Sequence, residues 1–232
     1  MNTRVYLIRH GETAWSLDGR HTGLTEQTLT ARGEEETRKL GMRLPKDHFA
    51  QVWSSPRIRA RRSTELTGLA AAMEIDPELA EWIYGDYEGL RTAEIRKTRP
   101  GWSIFRDGCP GGETPAQIGA RADRVITRLR AIDGAVAIFT HGHFGRVLGA
   151  RWIGLDVAVA AHLLLGTTSL SILDWNSQSS PEASIVLWNG EAEHLCDIQA
   201  PLGDTRSMKE RALQRWENEG GEISPPGSGA AN

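Results

Sequence analysis

The sequence is poor in cysteine, has no basic excess and contains no long apolar run. Its two cysteines, Cys109 and Cys196, are too few for a disulfide framework and lack metal-ligand spacing, which favours a reducing, cytoplasmic setting. The formal net charge of −3 leaves no cationic excess to neutralise a nucleic-acid backbone. No segment approaches the ~20 apolar residues of a membrane span, and the N-terminus lacks a signal-peptide core. We therefore expect a cytoplasmic globular protein without a nucleic-acid or membrane partner.

Strand-like and helix-like segments alternate along the chain, of which 39% is hydrophobic. The pattern predicts strands over residues 5–8, 51–54 and 135–143, helices over 29–44, 56–72, 115–132 and 145–154, and two final strands over 168–175 and 183–190. This alternation favours an α/β fold with helices on both faces of a mostly parallel sheet and a C-terminal antiparallel hairpin. Residues 1–202 are predicted to form one domain, and the polar residues 203–232 a surface helix and flexible tail.

Two of the predicted strands each end in a histidine followed by glycine, in "RHG" and "THG". In open α/β sheets, ligands bind beyond the carboxyl ends of the strands, so His10 and His141 are expected to converge there. Arg9 adds a fixed cation beside the first histidine. The alternative for either histidine alone is a hydrogen-bonded structural role.

A cluster of arginines follows the strand at 51–54, in "SSPRIRARRSTE". The cluster opens a helix, and a helix N-terminus already favours anions. Helical periodicity places Arg59 on the inward face and turns Arg57 and Arg61 largely away from it. Arg59 is therefore the candidate for gripping a buried anion.

The segment "AEWIYGDYEG" offers three acids that could transfer a proton, namely Glu81, Asp86 and Glu88. Spacing alone does not choose among them. The default for any two of the three is a surface position in a loop.

Four blocks, "RHGET", "SSPRIRARRSTE", "EWIYGDYEGL" and "THGH", occur in the order typical of the histidine phosphatase superfamily, whose fold is phosphoglycerate-mutase-like. The chain resembles this family over residues 2–188. It is most similar to the branch that contains sedoheptulose 1,7-bisphosphatase, through segments such as "RHGETAWSLDGRHTGLTEQTLT" and "WSIFRDGCPGGETPAQIG". The resemblance implies a three-layer αβα sandwich and a phosphatase of small phosphorylated metabolites, sugar phosphates and bisphosphates foremost.

The resemblance also implies roles for individual residues. His10 would be the nucleophile that becomes phosphorylated, and Glu81 the proton donor. The phosphate pocket would consist of Arg9, Arg59 and His141, with a backbone N–H from Gly142. Two arginines give phosphate oxygens planar, multi-donor contacts, and a covalent intermediate divides one hard displacement into two. Because these cations already meet the charge of the phosphate, we expect no metal and no other cofactor.

Residues that match substrate-facing positions of the family are Thr22, Gly23 and Tyr84. His143 and Arg146 match the bisphosphatase branch, where an arginine meets the distal phosphate, and Arg57 is a further candidate at the pocket rim. Two other functions stay open: a phosphoglycerate-mutase-type transferase and a non-catalytic scaffold that binds phosphorylated ligands. The region after the acid segment is shorter than the basic insertion of the mutases, which favours hydrolysis. The partner is a small phosphorylated substrate, and a homo-oligomer is left open.

Overall fold

A mixed sheet of six strands forms the centre of the computed structural model, which describes residues 2–176 and 180–192. The strands lie in the order β3-β2-β4-β1-β5-β6. They are β1 (Asn2–Arg9), β2 (Phe49–Ser54), β3 (Met73–Ile75), β4 (Gly134–Thr140), β5 (Leu170–Asn176) and β6 (Ser180–Gly190). β1 to β4 pair in parallel, β5 runs antiparallel to β1, and β6 antiparallel to β5. The mostly parallel sheet with a C-terminal antiparallel pair is thus confirmed.

Helices cover both faces of this sheet. They are α1 (Ala14–Asp18), α2 (Ala31–Gly41), α3 (Ile58–Leu66), α4 (Thr92–Thr98), α5 (Ile104–Asp107), α6 (Pro115–Arg130) and α7 (Gly142–Trp152). Side chains alternate across β1, so that Val5 and Leu7 join one hydrophobic cluster, to which α6 and α7 contribute. Tyr6 and Ile8 join the other cluster, which includes Leu40 of α2. Because β1, β2, β4 and β5 carry apolar groups on both faces, the centre of the sheet is buried between two helical layers.

The helix and strand boundaries differ from prediction where local geometry intervenes. α3 ends at Leu66, because the chain then passes through Gly68 at a φ of +84° and the helix gives way to a 3₁₀ turn at Ala70–Ala72. β4 ends at Thr140 rather than at residue 143, since α7 begins at Gly142. The predicted start of α6 is confirmed, with Thr114 as N-cap and Pro115 as first helical residue. β3 was not predicted, since three residues are too few for a pattern.

No helix within residues 2–176 and 180–192 is long and apolar enough to cross a membrane. Trp152 is completely buried in the core. The predicted C-terminal helix and tail over residues 203–232, and Cys196, lie outside the described residues.

Candidate active site

The two predicted histidines meet at the carboxyl edge of the sheet. β1 and β4 are adjacent and parallel, and their register pairs Arg9 with Thr140, so His10 and His141 follow at the same level. The backbone N–H of His10 donates to the carbonyl of Thr140 over 3.0 Å. The centroids of the two imidazole rings are 5.1 Å apart. The expected convergence of these strand ends is therefore observed.

His10 has the protonation pattern of a nucleophile. Its Nδ1 lies 2.8 Å from the carbonyl oxygen of Gly11, which can only accept a hydrogen bond, so Nδ1 carries the proton. Burial, followed by the charges of Arg59 and Arg9, holds the pKa of His10 well below its usual value. The ring is therefore neutral near pH 7, and its Nε2 keeps a free lone pair.

His141 is also neutral, but both of its ring nitrogens are engaged. The Nε of Arg59 donates to its Nδ1 over 3.2 Å, and its Nε2 lies 2.7 Å from Ser55 Oγ. An arginine N–H can only donate, so Nδ1 accepts and Nε2 carries the proton. Burial first, and then the charge of Arg59, keeps the pKa of His141 well below its usual value. His141 is thus a neutral link between Arg59 and the end of β2, and it is completely buried.

Arg9 is held by the loop that precedes β5. Its Nη1 donates to the carbonyl of Leu165 over 2.6 Å, and its backbone N–H donates to Ser169. Its buried Nε has no hydrogen-bond partner among the described residues. The guanidinium also lies against Gly142, where an added Cβ would come within 3.3 Å of Arg9 Cζ. Arg9 therefore holds a charged donor group at the N-terminus of α7.

Arg59 is completely buried, as the helical periodicity predicted. Besides His141, its guanidinium donates to three backbone carbonyls, those of Thr22 (2.8 Å), Gly23 (3.2 Å) and Thr25 (3.1 Å). Arg59 thus ties the loop that carries the predicted residues Thr22 and Gly23 to the histidine pair.

The carboxylate of Glu81 lies at the N-terminus of α7. Its carboxylate accepts backbone N–H groups of Trp82 (2.9 Å), Phe144 (2.8 Å) and His143 (3.0 Å). Two of these donors belong to the first turn of α7, whose dipole favours a negative charge there. The carboxylate is therefore fixed at the same helix end as Gly142.

A cavity of about 210 Å³ opens over these groups. It is smaller than the ~300–1,000 Å³ typical of sites for drug-sized ligands, which suits a small metabolite. Eight of the predicted residues line it: Arg9, His10, Thr22, Glu81, Tyr84, Gly142, His143 and Arg146. Arg59 and His141 lie directly behind the wall of the cavity. They are hydrogen-bonded to each other, and the His141 ring also contacts the His10 ring.

The far side of the cavity holds an aromatic and imidazole cluster. Tyr84 Oη lies 2.6 Å from His143 Nδ1, and burial raises the pKa of Tyr84 well above its usual value. We therefore assign the phenol as donor, which leaves the proton of the neutral His143 ring on Nε2. His21 stacks 4.8 Å from Tyr84, and burial lowers its pKa to about 4. Arg146 donates to the carbonyls of Ala160 and Ala161, each at 2.9 Å, and supplies the charge on this side.

Two predicted substrate residues lie outside the cavity wall. Arg57 donates to Glu26 and to the carbonyl of Leu24, each over 3.2 Å. Gly23 packs its backbone against Trp82, where an added Cβ would lie 2.6 Å from the carbonyl oxygen of that residue. Both residues support the loop around Thr22 rather than facing the cavity.

Sequence reasoning missed several residues at the site. Ser55 partners His141 because it follows β2 at the same sheet edge, and the end of a third strand was the signal that could have found it. The cavity is also lined by Thr13, Ser16, Gly19, Arg20, Thr92 and Leu165. The first four lie on α1 or next to it, Thr92 begins α4, and Leu165 lies in the loop before β5, and no periodic pattern marks these positions.

The sequence profile of the histidine phosphatase superfamily (branch 1) matches residues 5–190. The chain belongs to the histidine phosphatase superfamily. This histidine phosphatase is 41% identical to an acid phosphatase of Mycobacterium tuberculosis over 175 residues, which cover 74% of the chain and 86% of that protein. It is 38% identical to sedoheptulose 1,7-bisphosphatase of Saccharomyces cerevisiae over 192 residues, with 68% and 70% covered. It is 28% identical to the probable phosphoglycerate mutase GpmB of Salmonella choleraesuis over 203 residues, with 83% and 94% covered.

Among solved structures, the open reading frame Rv3214 of Mycobacterium tuberculosis superimposes with a TM-score of 0.77 at 35% identity, covering 83% of this chain and all of that one. The family and the phosphatase relatives confirm the predictions of an α/β histidine phosphatase fold and of a phosphomonoesterase.

Proposed function

We propose that this histidine phosphatase hydrolyses small sugar phosphates and bisphosphates through a phosphohistidine formed on His10. The observation that carries the proposal is the neutral His10 ring, with its proton fixed on Nδ1 by Gly11 and its Nε2 free, beside Arg9 on the cavity wall. Phosphoryl transfer requires mainly in-line positioning and stabilisation of spread negative charge, and Arg9 at the N-terminus of α7 supports the second requirement. The bisphosphatase relative supports the substrate class.

In the first step, Nε2 of His10 attacks the phosphorus, and the bond to the ester oxygen breaks. Glu81 in its protonated form gives its proton to the leaving alkoxide. Arg9 and the N-terminus of α7 at Gly142 stabilise the charge on the equatorial oxygens, and Arg59, which His141 orients, adds its positive charge from behind the cavity wall. In the second step, water attacks the phosphohistidine, the Glu81 carboxylate takes its proton, and inorganic phosphate leaves with the His10 ring neutral again.

Release of inorganic phosphate from a panel of sugar mono- and bisphosphates tests this function directly. We expect turnover of sugar phosphates by the wild type and loss of turnover in His10→Asn. Activity that depends on added 2,3-bisphosphoglycerate and transfers phosphate within phosphoglycerate would instead identify a mutase. Binding of phosphorylated sugars without any turnover would identify a scaffold.

Arg146 is proposed to meet the distal phosphate of a bisphosphate, with Thr22, Tyr84 and His143 contacting the sugar. Two N–H donors of Arg146 are fixed on the carbonyls of Ala160 and Ala161. The Arg146 guanidinium lies 4.5 Å from the centroid of the Phe105 ring, and Arg146 lines the cavity. Arg146→Ala should therefore lower kcat/KM for bisphosphates by roughly 10- to 100-fold, since a charge-assisted hydrogen bond is worth ~1.5–3 kcal/mol. Monophosphates should be affected little.

The matched control is Arg151→Ala, which removes an arginine of the same helix that pairs with Asp123 at 2.8 Å. It should leave both kinds of substrate unaffected. An equal loss on mono- and bisphosphates in Arg146→Ala would remove the distal-phosphate role.

We also propose a cytoplasmic location, no nucleic-acid or membrane partner, and catalysis without a metal cofactor. The two cysteines and the charge of −3 support the first two points. Cell fractionation measures the location, and activity should survive prolonged dialysis against a chelator. The protein partner that we consider is a second copy of the chain, and light scattering on the purified protein measures the molar mass and thus the oligomeric state.

A further inference from the structure

Glu88 differs from Asp86, the other acid of the "GDYEG" segment, because its carboxylate binds the backbone of the loop next to the cavity. It accepts the N–H of Gly23 on both oxygens and the N–H of Thr25 on Oε1, each over 3.0 Å. No ion pair reaches it from the described part of the chain. Its charge is thus directed at peptide N–H groups alone.

Arg59 binds the same short segment through its carbonyls. Gly23 and Thr25 each give their N–H to Glu88 and their C=O to Arg59. The peptide group that joins Thr22 to Gly23 spans the two charges, because its N–H donates to Glu88 and its C=O accepts from Arg59. Such alignment stabilises both charges and the backbone between them.

The segment is closely packed at Gly23. A Cβ at Gly23 would come within 2.6 Å of the Trp82 carbonyl oxygen, 2.9 Å of Glu88 Oε2 and 3.0 Å of the Tyr84 ring. Thr22, the preceding residue, lines the cavity, and its carbonyl accepts the shortest of the three carbonyl contacts of Arg59, at 2.8 Å. A change at Glu88 is thus transmitted to Arg59 and to Thr22 together.

We propose that Glu88 is a positioning residue for phosphate binding, acting through the backbone of residues 22–25 on the guanidinium of Arg59. The inference rests on the proposed function, since it takes Arg59 as part of the phosphate site. It assigns a role to an acid that touches neither substrate nor the reacting atoms. A misplacement of about 1 Å at a catalytic group costs up to ~100-fold in rate, so this indirect contact is expected to matter.

Glu88→Gln tests the proposal, because the amide keeps the size of the side chain but loses the charge and one acceptor oxygen. We expect kcat/KM for a sugar phosphate to fall by roughly 10- to 100-fold. The inhibition constant for inorganic phosphate should rise by roughly 10-fold, since a charge-assisted contact is weakened. Asp86→Asn is the matched control, because Asp86 is an exposed acid of the same segment, and it should leave both quantities unaffected.

A purely structural role for Glu88 would lower the thermal midpoint and leave the inhibition constant for phosphate unaltered well below that midpoint, which would overturn the proposal. In the background of Arg59→Ala, adding Glu88→Gln should cause no further loss of phosphate binding, and additive losses would also overturn it. Glu88→Asp retains the charge with a shorter reach and provides the same comparison where the glutamine variant does not fold. If the wild type binds phosphate but hydrolyses no phosphomonoester, the proposed function fails, while the effect of Glu88 on phosphate binding is still measured.

Discussion

At the scale of single residues, hydrogen bonds decide which nitrogen of each buried histidine is available for chemistry. His10 is left with a free Nε2 because the carbonyl of Gly11 takes its Nδ1 proton. His141 has no such freedom, because Arg59 and Ser55 engage both of its nitrogens. Two imidazoles 5.1 Å apart therefore receive different roles from their partners: one can attack, and the other orients an arginine.

Gly142 provides a test of how closely Arg9 must approach α7. In Gly142→Ala the new methyl group would meet Arg9 Cζ at 3.3 Å, so the guanidinium has to move by a few tenths of an ångström. We expect kcat/KM to fall by roughly 10-fold, as for other small misplacements of a phosphate-binding group. Steady-state kinetics measure the loss, and the thermal midpoint should shift little. An alanine variant with wild-type kinetics would show that the approach is not critical.

At the scale of structural elements, the loop before β5 carries backbone strain next to the catalytic residues. Thr168 and Asn189 are the non-glycine residues with positive φ in the described ranges, at 59° and 56°. The Thr168 N–H donates to the His10 carbonyl over 3.1 Å, and Asn189 Oδ1 accepts the Gly166 N–H over 2.6 Å. Such strain persists only where surrounding contacts enforce it. Here those contacts join β6 to the strand end that bears His10.

Asn189→Gly should loosen this loop while preserving the unusual backbone conformation, since glycine adopts positive φ freely. The variant loses one hydrogen bond, and we expect the free energy of unfolding to fall by about 1 kcal/mol in urea titrations. kcat should fall as well, because the loop holds Arg9 through Leu165 and His10 through Thr168. Ser184→Ala on the exposed face of the same strand is the control and should change neither. A stable variant with full activity would contradict the account of the loop.

The strand ends and Arg59 could be predicted because their signals are local. Short apolar runs in the sequence indicate buried strands, and helical periodicity separates the face of Arg59 from that of Arg57. Glu88 could not be assigned in the same way, because it ends no strand and its partner Gly23 lies 65 residues away in sequence. The contact of the loop at Leu165 and Thr168 with the site could not be predicted either. Only the antiparallel direction of β5 brings this loop to the edge where the parallel strands end.

At the scale of the whole molecule, the site places several neutral histidines in the interior, which makes stability depend on pH. Burial holds the pKa values of His10, His141 and His143 well below the usual value and that of His21 at about 4. Above about pH 6.5 these groups are neutral in both the folded and the unfolded state, so they have no effect. Below it the unfolded chain takes up protons that the folded protein does not, and stability falls as the pH falls.

We therefore predict that the free energy of unfolding decreases between pH 7 and pH 5, with each such histidine contributing up to ~1.4 kcal/mol per pH unit. His21→Gln should lower the number of protons taken up on unfolding by about one and so reduce the slope of stability against pH. His48→Gln, at an exposed position, should leave that slope unchanged. Urea unfolding at several pH values measures both slopes. Equal slopes in the wild type and His21→Gln would show that His21 is not buried in the neutral form.

The central claim is that His10 carries the phosphoryl group, and trapping that intermediate tests it most directly. Glu81→Gln retains His10 but lacks the base for hydrolysis, so with an aryl phosphate, whose leaving group needs no acid, it should accumulate phosphoenzyme. After quenching in alkali, peptide mass mapping should place one phosphoryl group on the peptide that contains His10, and none in Glu81→Gln combined with His10→Asn. A phosphoryl group on any other residue, or rapid turnover by the double variant, would contradict the account.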